Sequence, residues 1–136
     1  MSIVLVDSNV LLDVLTEDPQ WFSWSAEALE EQAEHAVLAI NPIIFAEVSI
    51  RFERIEELEE AFPRGLFERA ALPWEAAFLA GKCFVRYRRR GGVRRSPLPD
   101  FYIGAHAAIR SWTLLTRDAS RYRGYFPRLR LVAPVG

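Results

Sequence analysis

The chain is poor in the residues that mark several protein classes. Its 136 residues include one cysteine, two histidines and one lysine. A single thiol excludes an internal disulfide and any metal site built from several cysteines. No apolar run approaches the ~20 residues that a membrane-spanning helix requires. The N-terminus lacks a basic segment, and Asp7 interrupts its apolar stretch, so no secretory signal is expected. Repeats, low-complexity tracts and a dividing linker are also missing. With 51% hydrophobic residues at this length, one soluble, cytoplasmic domain over 1–136 is expected.

Net charge is scarce only in the sum. The formal total is -1, yet residues 1–75 hold sixteen acids against four arginines, a net of -12. Residues 76–136 hold thirteen bases against only Asp100 and Asp118, a net of +11. Such a division raises the expectation of a charged partner, nucleic acid among them. Sixteen arginines against one lysine also point to a general preference for arginine, so the basic half is not by itself a binding surface.

The pattern of apolar residues alternates strands with helices. Residues 3–6 are continuously apolar, as in a parallel strand covered on both faces. Asp7-Ser8-Asn9 supplies capping chemistry for a short helix over 10–15. Residues 20–34 fit an amphipathic helix, and 36–40 a second strand. Asn41-Pro42 opens a helix reaching about residue 52, and 54–61 continues helically. A weak strand is expected within 67–72, then helices over 75–90 and 100–111, the first ended by Gly91-Gly92. Strands follow at 113–116 and 129–132. This order predicts an α/β fold with a parallel sheet wrapped on both sides.

Most acids have an ordinary explanation as the solvated side of a helix, among them Glu27, Glu30, Glu31, Glu34, Glu53, Glu56, Glu57 and Glu60. Four others stand apart. Asp7 directly follows the first strand, and Asp118 follows the Thr113–Thr116 strand by one residue. Ligands in open α/β sheets bind at carboxyl ends of strands, so these acids could converge, although Asp7 also suits an N-cap. Glu47 falls about 40° from Ile43 at ~100° per residue, inside an apolar helix face. A carboxylate there needs a cation, a hydrogen-bond network or a cleft, and a buried pair with an arginine is the ordinary alternative. Asp100 stands in the first turn of a helix, where the dipole favours it, but acids are rare in that half.

Four carboxylates in one place would require a cation. Two unit charges ~5 Å apart repel by roughly 3 kcal/mol at an effective dielectric of about 20. Oxygen ligands without a Cys or His cluster favour Mg²⁺ or Mn²⁺ over Zn²⁺. Such ions activate water and stabilise a leaving oxygen, as phosphodiester hydrolysis requires.

Four segments carry a resemblance over nearly the whole chain. These are Val6-Asp7-Ser8-Asn9-Val10-Leu11-Leu12-Asp13, Asn41-Pro42-Ile43-Ile44-Phe45-Ala46-Glu47-Val48, the stretch from Arg86 to Gly92 with Ser96 to Ala108 around Asp100, and Leu114-Leu115-Thr116-Arg117-Asp118. In this order they resemble a PIN domain, specifically the VapC toxins of bacterial toxin–antitoxin modules. Tyr122 or Phe126 stands where that family often has an aromatic. Ser96-Pro97-Leu98-Pro99 is more proline-rich than the family pattern.

The resemblance implies a three-layer α/β/α sandwich with a central parallel sheet. It also implies a Mg²⁺-dependent endoribonuclease, with Mn²⁺ as a substitute, acting as the toxin of a type II module. The catalytic acids would be Asp7, Glu47, Asp100 and Asp118, with Asp7, Asp100 and Asp118 as metal ligands. Ser8, Asn9 and Thr116 would orient carboxylates or touch the phosphate. The partners would be an RNA substrate, a cognate VapB-type antitoxin and a second copy in a homodimer, with no membrane.

Arg88, Arg89, Arg90, Arg94 and Arg95, with Arg86, form a cluster suited to RNA phosphates, to an acidic antitoxin segment, or to plain solvation. Trp21, Phe22 and Trp24 exceed what one helix face buries, which suits a dimer or antitoxin surface. Cys83 and His106 have apolar neighbours and read as core. Lys82 follows Gly81 without the rest of a phosphate-binding loop. Two other functions fit less well. A catalytically silent PIN-like module binding RNA or protein would not need all four acids. A phosphatase using Asp7 as nucleophile needs a second Asp where Asn9 stands.

Overall fold

Five strands form one sheet in the computed structural model, which describes residues 2–62 and 65–135. β1 (Ser2–Val6), β2 (Ala36–Ile40), β3 (Glu68–Arg69), β4 (Thr113–Leu115) and β5 (Leu131–Val132) lie in the order β3-β2-β1-β4-β5. Every neighbouring pair is parallel. Consecutive strand residues face opposite sides of a sheet. Val4, Leu5 and Val6 are all buried, as are Leu38, Ala39 and Ile40, so both faces are covered. The cover comes from α1 (Ser8–Leu15), α2 (Phe22–His35), α3 (Pro42–Ser49), α4 (Ile55–Ala61), α5 (Trp74–Arg89), α6 (Pro99–Arg110) and α7 (Ser120–Tyr125). This is the expected α/β/α sandwich. None of the described helices is long and apolar enough to cross a membrane.

The boundaries that differ from expectation do so for local reasons. α2 starts at Phe22 rather than near residue 20, because the Asp18 carboxylate takes the Gln20 and Trp21 amides at 3.1 and 2.8 Å into a turn. α3 stops at Ser49 rather than near residue 52. Its last amides, Arg51 and Phe52, bond three residues back to Val48 and Ser49, which tightens the end. The weak strand of 67–72 is reduced to the edge pair Glu68–Arg69, and the last strand to Leu131–Val132. α7 lies in a segment for which apolar periodicity gives no helix. Gly91, at φ 91°, and Gly92 end α5 as expected, their amides bonding Arg88 and Tyr87 carbonyls at 3.0 Å each.

The topology prepares one crevice. β1 is central, with β2 and β3 to one side and β4 and β5 to the other. Beyond Val6, the Asp7 amide still donates to the Leu115 carbonyl at 2.9 Å, so β1 and β4 end side by side. Strand order reverses there, where α/β sheets leave a gap for ligands.

α6 and α7 close over that gap at Gly104. A Cβ on this residue would lie 2.6 Å from Phe126 Cδ2 and 3.0 Å from Tyr122 Cδ1. Gly104→Ala is therefore expected to destabilise the fold by about 1–3 kcal/mol, as overpacking does. Urea denaturation of the two proteins measures the difference, and equal midpoints would contradict this packing.

Candidate active site

Asp7 is the first residue beyond β1 and the N-cap of α1. It is only 3% exposed, yet three neutral donors reach its carboxylate. Oδ1 accepts from the Ser8 amide at 2.8 Å. Oδ2 accepts from Thr116 Oγ1 at 2.8 Å and from the Tyr122 hydroxyl at 2.9 Å. Asn9 Nδ2 approaches at 3.5 Å and also bonds Thr116 Oγ1 at 3.3 Å, while Asn9 Oδ1 takes the Arg117 amide at 3.2 Å. Asn9 thus ties the start of α1 to the loop after β4.

The other acids approach from three further elements. Glu47, on α3, accepts from Ser8 Oγ at 2.8 Å. No ion pair to Glu47 forms among the described residues, so the buried arginine alternative is not what holds it. Asn41 caps α3 by accepting from the Ile44 amide at 2.9 Å, with Pro42 in the first turn. Asp100 stands in the first turn of α6 behind Pro99. Its Oδ1 lies 3.4 Å from the Tyr122 hydroxyl, and its Oδ2 lies 3.7 Å from Arg121 Nε. Asp118 is exposed and turned towards Ser120, accepting from its hydroxyl at 3.0 Å and its amide at 3.4 Å.

Tyr122 therefore stands between two carboxylates with one proton to give. The shorter bond goes to Asp7. At 1% exposure, burial raises the phenol well above its ordinary value, and the charges of Asp7 and Asp100 raise it further. It stays a donor across the physiological range.

The acids crowd one another electrostatically. Burial is the main cause that raises the Asp7 carboxyl to about 6, with Asp100 and Glu47 adding repulsion and the Thr116 and Tyr122 bonds opposing. Burial also raises Glu47, helped by Asp100 and opposed by Ser8. Asp100 is raised by burial first and then by Asp118, while Arg121 and Tyr122 pull it down. Asp7, Glu47 and Asp100 are thus linked through Ser8 and Tyr122, and Asp118 stands outside them, on Ser120.

The nearest cations are mostly committed elsewhere. Arg117, between Thr116 and Asp118, forms a fork on the buried Asp13 at 2.8 and 3.0 Å. Asp13 also takes the Ser25 hydroxyl at 2.7 Å. Only Arg121 pairs with one of the four acids among the described residues. Of the expected arginine cluster, Arg90 reaches the cleft beside Arg121, whereas Arg88 bonds back to the Arg94 carbonyl at 2.9 Å. Arg89, Arg94 and Arg95 are exposed. His106 and Cys83 are core residues, as expected; His106 Nδ1 meets Asn41 Nδ2 at 2.9 Å.

Sequence reasoning named Tyr122, with Phe126, as an aromatic position but not its bond to Asp7, and it missed Arg121 and the Asp13–Arg117 pair. The signal for Tyr122 was its spacing, one helical turn beyond Asp118, but α7 itself was not expected. Nothing marked Asp13 except its place at the end of the first of the four segments, and Arg117 was one arginine among many.

An all-oxygen donor set suits Mg²⁺ or Mn²⁺. Among the described residues no three His, Cys, Asp or Glu side chains gather tightly enough to enclose an ion alone. Mg²⁺ does not demand that, since it keeps several waters and takes one or two carboxylates. The residues present fit such an ion.

Comparison with known proteins identifies the fold. A family model of the PIN domain matches residues 4–126. The chain belongs to the PIN-domain family. Solved structures share this PIN fold at low identity. VapBC2 from Rickettsia felis, bound to a DNA fragment from its promoter, superposes with a TM-score of 0.74 at 19% identity, covering 98% of this chain and 99% of that one. VapBC-1 from nontypeable Haemophilus influenzae gives 0.70 at 14% identity, with 96% and 97% covered. A toxin–antitoxin complex from Klebsiella pneumoniae gives 0.67 at 22% identity, with 97% and 98% covered. A search of curated protein sequences finds no match.

The raised Asp7 carboxyl gives this PIN domain a pH-dependent cost. Folded, Asp7 takes a proton at about pH 6; its ordinary value is 3.8. Between these values the folded chain binds more protons than the unfolded one, so stability falls as pH rises, by at most about 3 kcal/mol in all. With a chelator present, Asp7→Asn is expected to have the higher urea midpoint at about pH 8 and to lose that advantage at about pH 4. A constant difference between the two across this range would contradict the burial of an ionised Asp7.

Proposed function

We propose that this PIN domain is a VapC-type toxin, a Mg²⁺-dependent endoribonuclease controlled by a VapB-type antitoxin. The observation that carries the reading is that Asp7 and Glu47 share Ser8 as donor, Asp7 and Asp100 share Tyr122, and Asp118 follows on the Thr116 loop, all at the reversal of strand order, with Arg121 paired to Asp100. A protein that gathers negative charge at this cost has a use for a cation there. The likeness to toxin–antitoxin complexes from several bacteria supports the partner.

Asp7, Asp100 and Asp118 would hold Mg²⁺, or Mn²⁺ in its place, directly or through water. Bound there, the ion supplies an activated water and charge stabilisation for the leaving oxygen. The chain's own groups do the positioning. Thr116, Tyr122 and the Ser8 amide fix both oxygens of Asp7, and Asn9 braces Thr116. Ser8 Oγ orients Glu47, whose raised carboxyl is better matched to taking a proton near neutral pH than an ordinary one. Arg121 stands at the rim, where a phosphate would arrive.

A homodimer is part of this reading, and α5 offers a surface for it. Trp74, Phe78 and Val85 are exposed, and at ~100° per residue they fall within about 40° of one line. The aromatic set Trp21, Phe22 and Trp24 offers less: the two tryptophans pack edge to face at 6.4 Å, and Arg117 lies 5.5 Å from the Trp21 ring.

Asp7→Asn and Asp100→Asn are each expected to reduce Mg²⁺-dependent cleavage of single-stranded RNA at least about 100-fold, the scale of losing an electrostatic group from such a site. Circular dichroism should show the fold retained. Wild-type activity in both variants would refute the assignment, and an inactive, folded wild type would favour a silent binding module. Sequencing the cleaved ends would identify the RNA class.

A further inference from the structure

Beside Asp100 lies an open cleft of about 450 Å³ between the end of α5 and the start of α7. Tyr87, Arg90, Ser120, Arg121 and Tyr125 line it. Its arginines, Arg90 and Arg121, and the neighbouring Arg86 lie against aromatic rings, and only Arg121 also meets an acid. Arg90 and Arg86 lie 4.7 and 5.2 Å from the Tyr125 ring centre. Arg121 lies 5.9 Å from both Tyr87 and Phe101. Among the described residues neither Arg86 nor Arg90 has a carboxylate within ion-pair distance, and Arg121 has only the long contact to Asp100. Arg121 Nη1 is buried with no hydrogen-bond partner. Arg121 therefore has bonding capacity that its one long contact with Asp100 does not use.

The rings are themselves in use. Tyr87 stacks on Phe84 at 6.2 Å and meets Phe101 edge on, while Tyr125 packs against Phe101 and carries two arginines. The tyrosines of the cleft thus already carry ring and guanidinium partners, and what its arginines add is charge. Gly92 keeps the wall thin, since a Cβ there would run into the Tyr87 ring.

We propose that this cleft is a subsite for a backbone phosphate of the RNA next to the scissile one, held by Arg90 and Arg121. The subsite rests on the nuclease reading for its orientation towards the acids. Of the five arginines named from the sequence as an RNA-binding cluster, Arg90 is the one that lines this cleft. Arg121 then faces a carboxylate on one side and the phosphate on the other.

The test is binding of the full chain to a labelled single-stranded RNA of about a dozen nucleotides, in EDTA so that no cleavage intervenes. Arg90→Gln and Arg121→Gln are each expected to weaken binding several-fold and to lower the slope of log affinity against log salt by about 0.7. Arg130→Gln, at the opposite ends of the strands, should leave both unchanged. Arg90 does not touch Asp100, so its variant separates the phosphate contact from any effect on the acids. Wild-type affinity and slope in both cleft variants would overturn the subsite. So would a glutamate peptide that binds with the same arginine dependence, since the cleft would then serve an acidic protein segment. Arginine-dependent RNA binding without metal-dependent cleavage would keep the subsite and sink the nuclease reading.

Discussion

Asp7 leaves β1 at the middle of the sheet, where it cannot turn away from the core, and its ionised form must be held by what surrounds it. The backbone supplies one donor through Ser8, and two side chains supply the others: Thr116 from the end of β4 and Tyr122 from α7. All three are neutral. The Thr116 and Tyr122 bonds lower the carboxyl without cancelling its charge, and burial still leaves it at about 6. Neutral donors fix the direction of an acid and leave its charge available. A guanidinium in their place would have fixed both.

The same logic governs the cations. Arg117 lies between Thr116 and Asp118 in sequence, close enough to neutralise the pocket, but its fork is spent on Asp13. Asp13 is itself buried and held by Ser25, so losing either partner would strand a charge. Arg69, likewise, is paired with Glu59 at the far edge of the sheet. Arg121 alone leans on Asp100, at 3.7 Å and half-exposed, which is a weak hold. The pocket is short of positive charge because the nearby positive charge has been assigned elsewhere.

Much of this was legible in the sequence, and the rest was hidden for physical reasons. Runs such as Ile3-Val4-Leu5-Val6 identify buried parallel strands because both faces are covered, and the position of Asp7 just after one follows directly. Glu47 betrayed itself by falling on an apolar face, and the structure answers with Ser8, a donor no spacing rule could name. α7 was not legible: Ser120-Arg121-Tyr122-Arg123-Gly124-Tyr125 has no apolar stripe, and it is helical because Tyr122 and its neighbours close against Gly104 of α6. Tertiary packing set that helix, and with it the two most informative residues of the site, Tyr122 and Arg121. The arginine cluster was legible as composition only. Which of its members faces the cleft depends on the turn at Gly91-Gly92, whose reversal carries Arg94 back onto Arg88 and leaves Arg90 beside Tyr125.

The division of charge along the chain can now be given a spatial meaning. The acidic half sends Asp7 and Glu47 into the crevice, and the basic half sends Asp100 and Asp118 with Arg90 and Arg121 behind them. A polyanion entering such a crevice is repelled by the acids and attracted by the arginines. It can settle only where a cation covers the first and its own phosphates meet the second. Metal and nucleic acid would then favour one another's binding, since each supplies the charge the other lacks. On the proposed reading the acids would take the cation and the arginines the anion, and the contact between Arg121 and Asp100 is where the two meet in one crevice.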